Sequence, residues 1–250
     1  VVAPSNANRV YVLLQDSASS QVLNMYRSDN AGTNWTPIAI PAALNNGTNS
    51  QCWYNLIGVC DPANADIIVV GGMNLARSSD GGNTWTQITT SSSVHVDHHA
   101  LLFNGSSNLI NGNDGGIYYS TNANAASPSF ASKNNGLNIT QFYGGDMHPT
   151  ITNYILAGAQ DNYSQKLTSP GMNSAVVVTP GDGGFAHIDQ TDGNLQITSN
   201  TGNNYYRSVN GGTSFNSISV SNNRGQFINP TDLNDAQKTL YCGDDAGKYY

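Results

Sequence analysis

Short apolar runs recur along this chain, each bounded by polar turn residues. One kind reads Arg9-Val10-Tyr11-Val12-Leu13-Leu14, Asp66-Ile67-Ile68-Val69-Val70, Asn108-Leu109-Ile110, Asn153-Tyr154-Ile155-Leu156, Asn194-Leu195-Gln196-Ile197 and Lys238-Thr239-Leu240-Tyr241. Their starts, at 9, 66, 108, 153, 194 and 238, are separated by 57, 42, 45, 41 and 44 residues. A second, more aromatic run follows each one: Met25-Tyr26-Arg27, Leu75-Ala76-Arg77, Ile117-Tyr118-Tyr119, Gln165-Lys166-Leu167, Tyr205-Tyr206-Arg207 and Lys248-Tyr249-Tyr250. Another apolar stretch precedes each unit, as at 53–59 and 141–145, and ends at Asp61-Pro62, His148-Pro149 or Asn229-Pro230. Runs this short, rich in β-branched and aromatic residues and closed by Gly, Asn, Asp and Ser, are strands. No helix of any length is expected.

After the second run comes a tight turn. Its fullest form is Arg77-Ser78-Ser79-Asp80-Gly81-Gly82-Asn83-Thr84-Trp85. The pattern returns around Ser28, Asn30, Gly32 and Trp35, and around Ser208, Asn210, Gly212 and Phe215, with a decayed copy at Ser120-Thr121-Asn122. Ser and Asp or Asn bond the turn's own backbone, and glycine supplies positive φ. Asn replaces Asp80 in two copies, so the role is structural. The aromatic residue that follows is expected to bury itself beneath the hairpin.

Four strands in about 44 residues make one blade of a β-propeller, a sheet that hides its faces only by stacking on neighbours. The fold expected is all-β: an incomplete propeller of about six four-stranded repeats, forming part of a larger ring. Residues 1–250 read as a single domain with blades at 1–44, 45–92, 93–135, 136–180, 181–221 and 222–250. The chain opens on Val1-Val2 and ends on Lys248-Tyr249-Tyr250, both strand-like, and reads as a piece of a longer polypeptide.

The sequence Ser78 to Trp85 matches the Asp-box, or BNR repeat, and the chain resembles the Asp-box propeller superfamily. That superfamily includes sortilin-type ectodomains, xyloglucanases and sialidases. The stretches Gln51-Cys52-Trp53-Tyr54, Val94-His95-Val96-Asp97-His98-His99-Ala100-Leu101, Gly112-Asn113-Asp114-Gly115-Gly116-Ile117-Tyr118, Gly136-Leu137-Asn138-Ile139-Thr140-Gln141-Phe142-Tyr143 and Ala159-Gln160-Asp161-Asn162 are similar to one subfamily. Its members are large secreted bacterial surface proteins, often with a C-terminal sorting domain. The resemblance implies a secreted or cell-surface location. It also implies partners in the same larger protein, in a surface assembly, or among glycans.

Composition narrows the ligand. Charged residues are only 10% and net charge is −7, which argues against nucleic acid and anionic membrane. No apolar run is long enough to span a bilayer as a helix. Three cysteines, Cys52, Cys60 and Cys242, read as buried thiols, the first two on one strand and too far apart to bridge.

All 16 acidic residues are Asp, with no Glu. If the strands run A to D from the axis outward, the A–B and C–D turns lie on one rim and the B–C and D–A loops on the other. Asp29 and Asp80 belong to C–D turns. Asp61, Asp66, Asp146, Asp189, Asp192, Asp232 and Asp235 fall near A–B turns. Asp16, Asp97, Asp114, Asp161, Asp182, Asp244 and Asp245 fall on the opposite rim, where Arg224 is the one basic residue expected. That rim is therefore acidic and suits cations or neutral hydroxyl-rich ligands.

Sialidases bind a carboxylate with three arginines and use a Tyr–Glu pair, and this chain lacks both. Xyloglucanases use two Asp residues, a role open to Asp114 or Asp161. An inverting pair would sit roughly 6.5–9.5 Å apart. The densest polar cluster is His95-Val96-Asp97-His98-His99. Strand alternation sets His95, Asp97 and His99 on one face, where with Asp114 they match a metal-ligand set. The alternative is hydrogen bonding between blades. Ca²⁺ or another divalent cation at Asp114, Asp161 or Asp182 competes with ordinary turns at 113–116 and 181–184. No cofactor is required. Trp53, Tyr54, Phe142 and Tyr143 are placed to stack on sugars, though core packing is the commoner use of such rings. With Asp97, His98, His99, Asp114, Gln160, Asp161 and Asp182, residues Trp53, Tyr54 and Tyr143 make up the expected ligand face. Five Asn-x-Ser/Thr sequons, at Asn34, Asn46, Asn104, Asn138 and Asn162, matter only in a eukaryotic host. The reading that results is a non-catalytic binding or adhesion module, with a glycoside hydrolase as the alternative.

Overall fold

The structure is a computed structural model that describes residues 1–44, 51–171, 175–220 and 225–244. Arg224, Asp245, the sequon at Asn46 and the strand expected at 248–250 lie outside the described residues. The first sheet holds β1 (Val2–Ala3), β2 (Asn6–Gln15), β3 (Val22–Ser28) and β4 (Thr36–Ile38). A single helical turn, α1 (Cys52–Asn55), leads to β5 (Ile57–Cys60), β6 (Ile68–Gly71), β7 (Leu75–Ser78) and β8 (Thr86–Gln87). The third sheet is β9 (His98–Phe103), β10 (Leu109–Asn113), β11 (Gly116–Ser120) and β12 (Ala131–Ser132). The fourth is β13 (Phe142–Met147), β14 (Ile155–Ala159), β15 (Ser164–Leu167) and β16 (Ala175–Thr179). The fifth is β17 (Ala186–Ile188), β18 (Gln196–Ser199), β19 (Asn204–Ser208) and β20 (Asn216–Ser219), and a last pair is β21 (Thr231–Asn234) with β22 (Thr239–Cys242).

Every sheet is an antiparallel meander in chain order. Two compact units emerge, Val1–Leu137 and Asn138–Tyr250. In the first, the opening strands β1, β5 and β9 are neighbours; in the second, β13 lies beside β17. The sheets thus stack through their first strands, as blades do. Alternation along β6 shows why. Ile68 and Val70 pack with Tyr11 and Met25 of the first sheet. Val69, between them, packs with Phe103 and Leu109 of the third. All three side chains have 0% exposure, so this strand has no solvent face.

One expectation fails at α1. Cys52 is in a helical turn and only Cys60 is in a strand, so the run 53–59 is not one continuous strand. All three cysteines are buried, and none is in a disulfide.

The hairpins after β3, β7 and β19 repeat one hydrogen-bond set. Ser28, Ser78 and Ser208 accept from the Gly32, Gly82 and Gly212 amides at 2.8, 2.8 and 2.9 Å. They donate to Asn30, Asp80 and Asn210 at 3.0, 2.7 and 2.8 Å. The decayed copy keeps Ser120 to Asn122 at 3.2 Å. The Thr84 hydroxyl and amide, aided by Ser78, pull the Asp80 carboxyl down to about 2. Neutral Asn makes the same bonds elsewhere, so the turn does not need the charge. Trp85 is not simply tucked beneath its own hairpin. It packs in the core shared with the preceding sheet and donates its indole N–H to Ala39 O at 2.8 Å. Trp35, in the first sheet, is 41% exposed.

A cation on the third strand of one blade reaches the turn of the next. Arg27 donates to Gly81 O at 2.9 Å, Arg77 to the carbonyls of Ala123 (2.6 Å) and Ala125, and Lys166 to Gly212 O at 2.8 Å. Buried A–B carboxylates join the same end. Asp61 accepts from the Ala63 and Asn64 amides within its turn, and from Ser106 and Asn124 of the next blade. Asp189 likewise accepts from Thr191 and Asp192, while Lys238 donates to it at 2.5 Å.

Arg77→Ala removes charge-assisted bonds from a buried position and should cost about 2 kcal/mol in urea unfolding; an unchanged midpoint would mean the latch contributes nothing. Burial alone would raise the Asp189 pKa, but Lys238 and the turn's donors outweigh it and hold it near 2. Its stabilising effect is therefore present above the ordinary aspartate value and disappears as pH falls through about 2. Asp189→Asn should flatten the acid limb of the stability curve relative to wild type, as followed by circular dichroism.

Candidate functional site

In the first unit, the D–A loops and B–C turns bring one polar group together at the strand ends opposite the serine hairpins. The Cys52 amide donates to Ser20 O at 3.0 Å, which seats α1 on the first blade's B–C turn. Cys52 and Asn55 face inward and are buried. Helical spacing then turns the intervening Trp53 and Tyr54 outward, 65% and 61% exposed. Core packing does not claim them. Their ring centroids are 5.5 Å apart, and Tyr54 meets the His99 ring edge-on at 4.7 Å.

Asp97 sits at φ +61°, a left-handed conformation that Asp tolerates better than most residues. Strand β9 begins only after it, so the expected alternation of His95, Asp97 and His99 along one strand does not hold. The Asp97 carboxylate instead accepts from Gln51 at 2.7 Å and Asn55 at 3.0 Å, and its carbonyl accepts from the Asp114 amide at 3.3 Å. His99 Nε2 lies 2.7 Å from Asp114 Oδ1. His95 is exposed, and its side chain lies so close to Gly115 that a Cβ there would meet the His95 Cβ at 2.3 Å and the ring Cγ at 2.5 Å. His98 is fully buried, so it does not line this face. Burial lowers its pKa to about 4.

Among the described residues, no three His, Cys, Asp or Glu side chains converge as a metal-holding group. The 113–116 segment is an ordinary turn: Asn113 accepts from the Gly115 amide at 2.9 Å and Gly116 has φ +108°. Gln51 and Asn55, which hold Asp97, carry no spacing signal in the sequence. They come to the site because α1 folds back toward β9.

The second unit has its own group. Tyr143 donates to Gln160 at 2.8 Å, and the Asp161 amide donates to Asp182 at 2.8 Å. Asp161 is exposed, at φ +54°. Gly158 lets the loop at 183–184 approach; a Cβ there would lie 2.0 Å from Gly184 O. Phe142 is half exposed. Among the described residues, the ion pairs of Arg9, Arg27 and Lys238 all lie at the hairpin end, with Asp29, Asp66 and Asp189. Both groups above are served by amides, a hydroxyl and a histidine instead.

No protein-family model and no curated protein matches this sequence. Among solved structures, the GH74 xyloglucanase from Xanthomonas campestris superposes with a TM-score of 0.57 at 16% identity. The match covers 97% of this chain and 39% of that one. The Niastella koreensis GH74 enzyme gives 0.42 at 17% identity, covering 98% and 44%. This chain thus spans about two-fifths of the length of the GH74 enzymes it is similar to. YCF48 from Cyanidioschyzon merolae gives 0.37 at 11% identity, covering 100% and 82%. The fold is that of a β-propeller, here incomplete. At such identities the likeness concerns the fold alone.

Burial, and next the charge of Asp114, raise the Asp97 pKa above the ordinary aspartate value. The folded state then holds this proton more tightly than the unfolded chain. The group's contribution to stability is greatest at low pH and falls as pH rises through the folded pKa. Asp97→Asn keeps an acceptor for Gln51 and Asn55, so at pH 7 it should be at least as stable as wild type. A variant clearly less stable than wild type at pH 7 would show that the carboxylate charge is favourable there.

Proposed function

We propose that this chain is a propeller module of a secreted or cell-surface protein that binds neutral, hydroxyl-rich glycans through the loops around α1. The observation that carries this reading is the pair of exposed rings, Trp53 and Tyr54, standing beside the Asp97 and Asp114 carboxylates. Aromatic faces stack on the apolar faces of sugar rings, while carboxylates and amides accept and donate to hydroxyls. The acidic loop face disfavours anionic ligands. Membership of the Asp-box superfamily, suggested by the Ser78–Trp85 pattern, and a role in adhesion or surface assembly, belong to the same proposal.

Hydrolysis is the second reading. It is favoured by one observation: a raised Asp97 carboxyl whose neighbour is Asp114, itself partnered by His99. Asp114 and Asp161, the candidates for an acid–base pair, belong to separate units. A cation-stabilised module is a third arm.

Isothermal titration against a panel of neutral and acidic oligosaccharides tests all three. Binding confined to neutral glycans, weakened about tenfold or more by Trp53→Ala and by Tyr54→Ala, is expected. Equal binding by these variants, or preference for acidic glycans, would overturn the proposal. Reducing ends released by wild type and lost in Asp114→Asn or Asp161→Asn would favour hydrolysis. A melting temperature lowered by EDTA would favour the cation.

A further inference from the structure

Behind Asp97 lies a group of buried amides and an imidazole whose hydrogen bonding is incomplete. Asn55, His98 and Asn111 each have 0% exposure. Among the described residues, Asn55 Oδ1, Asn74 Oδ1, His98 Nε2 and Asn111 Nδ2 have no hydrogen-bond partner. Asn55, Asn74 and His98 adjoin one corner of backbone, and Asn111 joins them through His98. The His98 amide donates to Gly72 O at 2.9 Å, the Gly72 amide to Asn74 O at 3.3 Å, and a Cβ on Gly72 would lie 3.9 Å from Asn55 Oδ1. Asn111 Oδ1 is 3.0 Å from His98 Nδ1. With that oxygen as acceptor, Nδ1 carries the proton and Nε2 is a bare acceptor.

Each such orphan left in a dry interior forfeits its hydration without a compensating bond. Four around one corner are too many for an ordinary core. A comparable junction in the second unit closes on its own side chains. There Asn229 Nδ2 has Asn203 Oδ1, the Tyr205 hydroxyl and Gly243 O within reach for its two hydrogens, and the Tyr205 hydroxyl donates to Asn203 Oδ1. Among the described residues, no side chain closes the group in the first unit in this way.

We propose that two ordered waters, hydrogen-bonded to each other, occupy the interior beside His98 and complete this network. The hydrogens balance. Three acceptors, Asn55 Oδ1, Asn74 Oδ1 and His98 Nε2, need three donors, and one donor, Asn111 Nδ2, needs an acceptor. Two waters that share one mutual bond have three O–H groups left and lone pairs to spare. A metal cation does not fit, because Asn111 Nδ2 is a donor. The consequence reaches the surface. The Asn55 amide that faces the waters is also the one that holds Asp97. The waters therefore fix the Asn55 orientation, and Asn55 is a positioning residue for the Asp97 carboxylate.

Crystallography on the wild-type protein, at a resolution that shows ordered solvent, tests this directly. Two buried waters within hydrogen-bond distance of the four atoms are expected. A dry interior, a single water, or the four atoms paired among themselves would overturn the proposal. In solution, ¹⁷O relaxation dispersion should count two fewer long-lived waters in His98→Phe than in wild type; an equal count would contradict it. If that variant does not fold, the wild-type imidazole ¹⁵N spectrum still decides. Nδ1 should be protonated and Nε2 a hydrogen-bonded acceptor at pH 7, and the opposite tautomer would refute the assignment.

Discussion

A sheet whose two faces are both apolar cannot be stable alone, and this requirement organises the molecule. Val69 turns to one neighbour while Ile68 and Val70 turn to the other, and none of the three touches solvent. Full burial of such a side chain contributes about 1.5–3 kcal/mol. Each blade therefore depends on those beside it, and stability accumulates across junctions rather than within sheets. Apolar burial is non-directional, so it does not by itself fix the angle between blades. Directional bonds at the hairpin end add that constraint to junctions within each unit. Arg27, Arg77 and Lys166 donate to carbonyls in the next blade's turn, and the buried carboxylates of Asp61 and Asp189 accept from side chains across the gap.

That division explains why the chain can be acidic and still use its few cations well. Arg9, Arg27, Arg77, Lys166 and Lys238 are all engaged at the hairpin end of their blades. The far end is left to aspartates served by amides and a histidine: Asp97 by Gln51 and Asn55, Asp114 by His99, and Asp182 by the Asp161 amide. At Asp97 and Asp114 this offers acceptors paired with amides and an imidazole, together with the rings of Trp53 and Tyr54.

Much of this could be read from the sequence because it is local and repeated. The apolar strand recurs at nearly constant spacing. The serine-glycine turn needs only its own backbone, so its meaning survives when Asp80 becomes Asn30 or Asn210. The sorting of Asp61, Asp66 and Asp189 toward one end followed from strand order alone. What was not legible depends on single backbone departures. One helical turn replaces the start of a strand at Cys52–Asn55 and turns Trp53 and Tyr54 outward. A left-handed Asp97 breaks the alternation that would have set His95 beside His99, and His98 enters the core instead. No periodicity encodes either event. Likewise Gln51 and Asn55 are unremarkable in sequence and acquire a role only through the fold.

The central claim is that the strand ends opposite the serine hairpins of the first unit form the surface that meets ligand. Amide chemical-shift mapping on titration with a neutral oligosaccharide tests it most directly. Shifts should concentrate at residues 51–55, 97–99 and 113–116, and leave the turns at 28–35 and 78–85 unmoved. Shifts centred on those hairpins, with the loops around Trp53 silent, would contradict it.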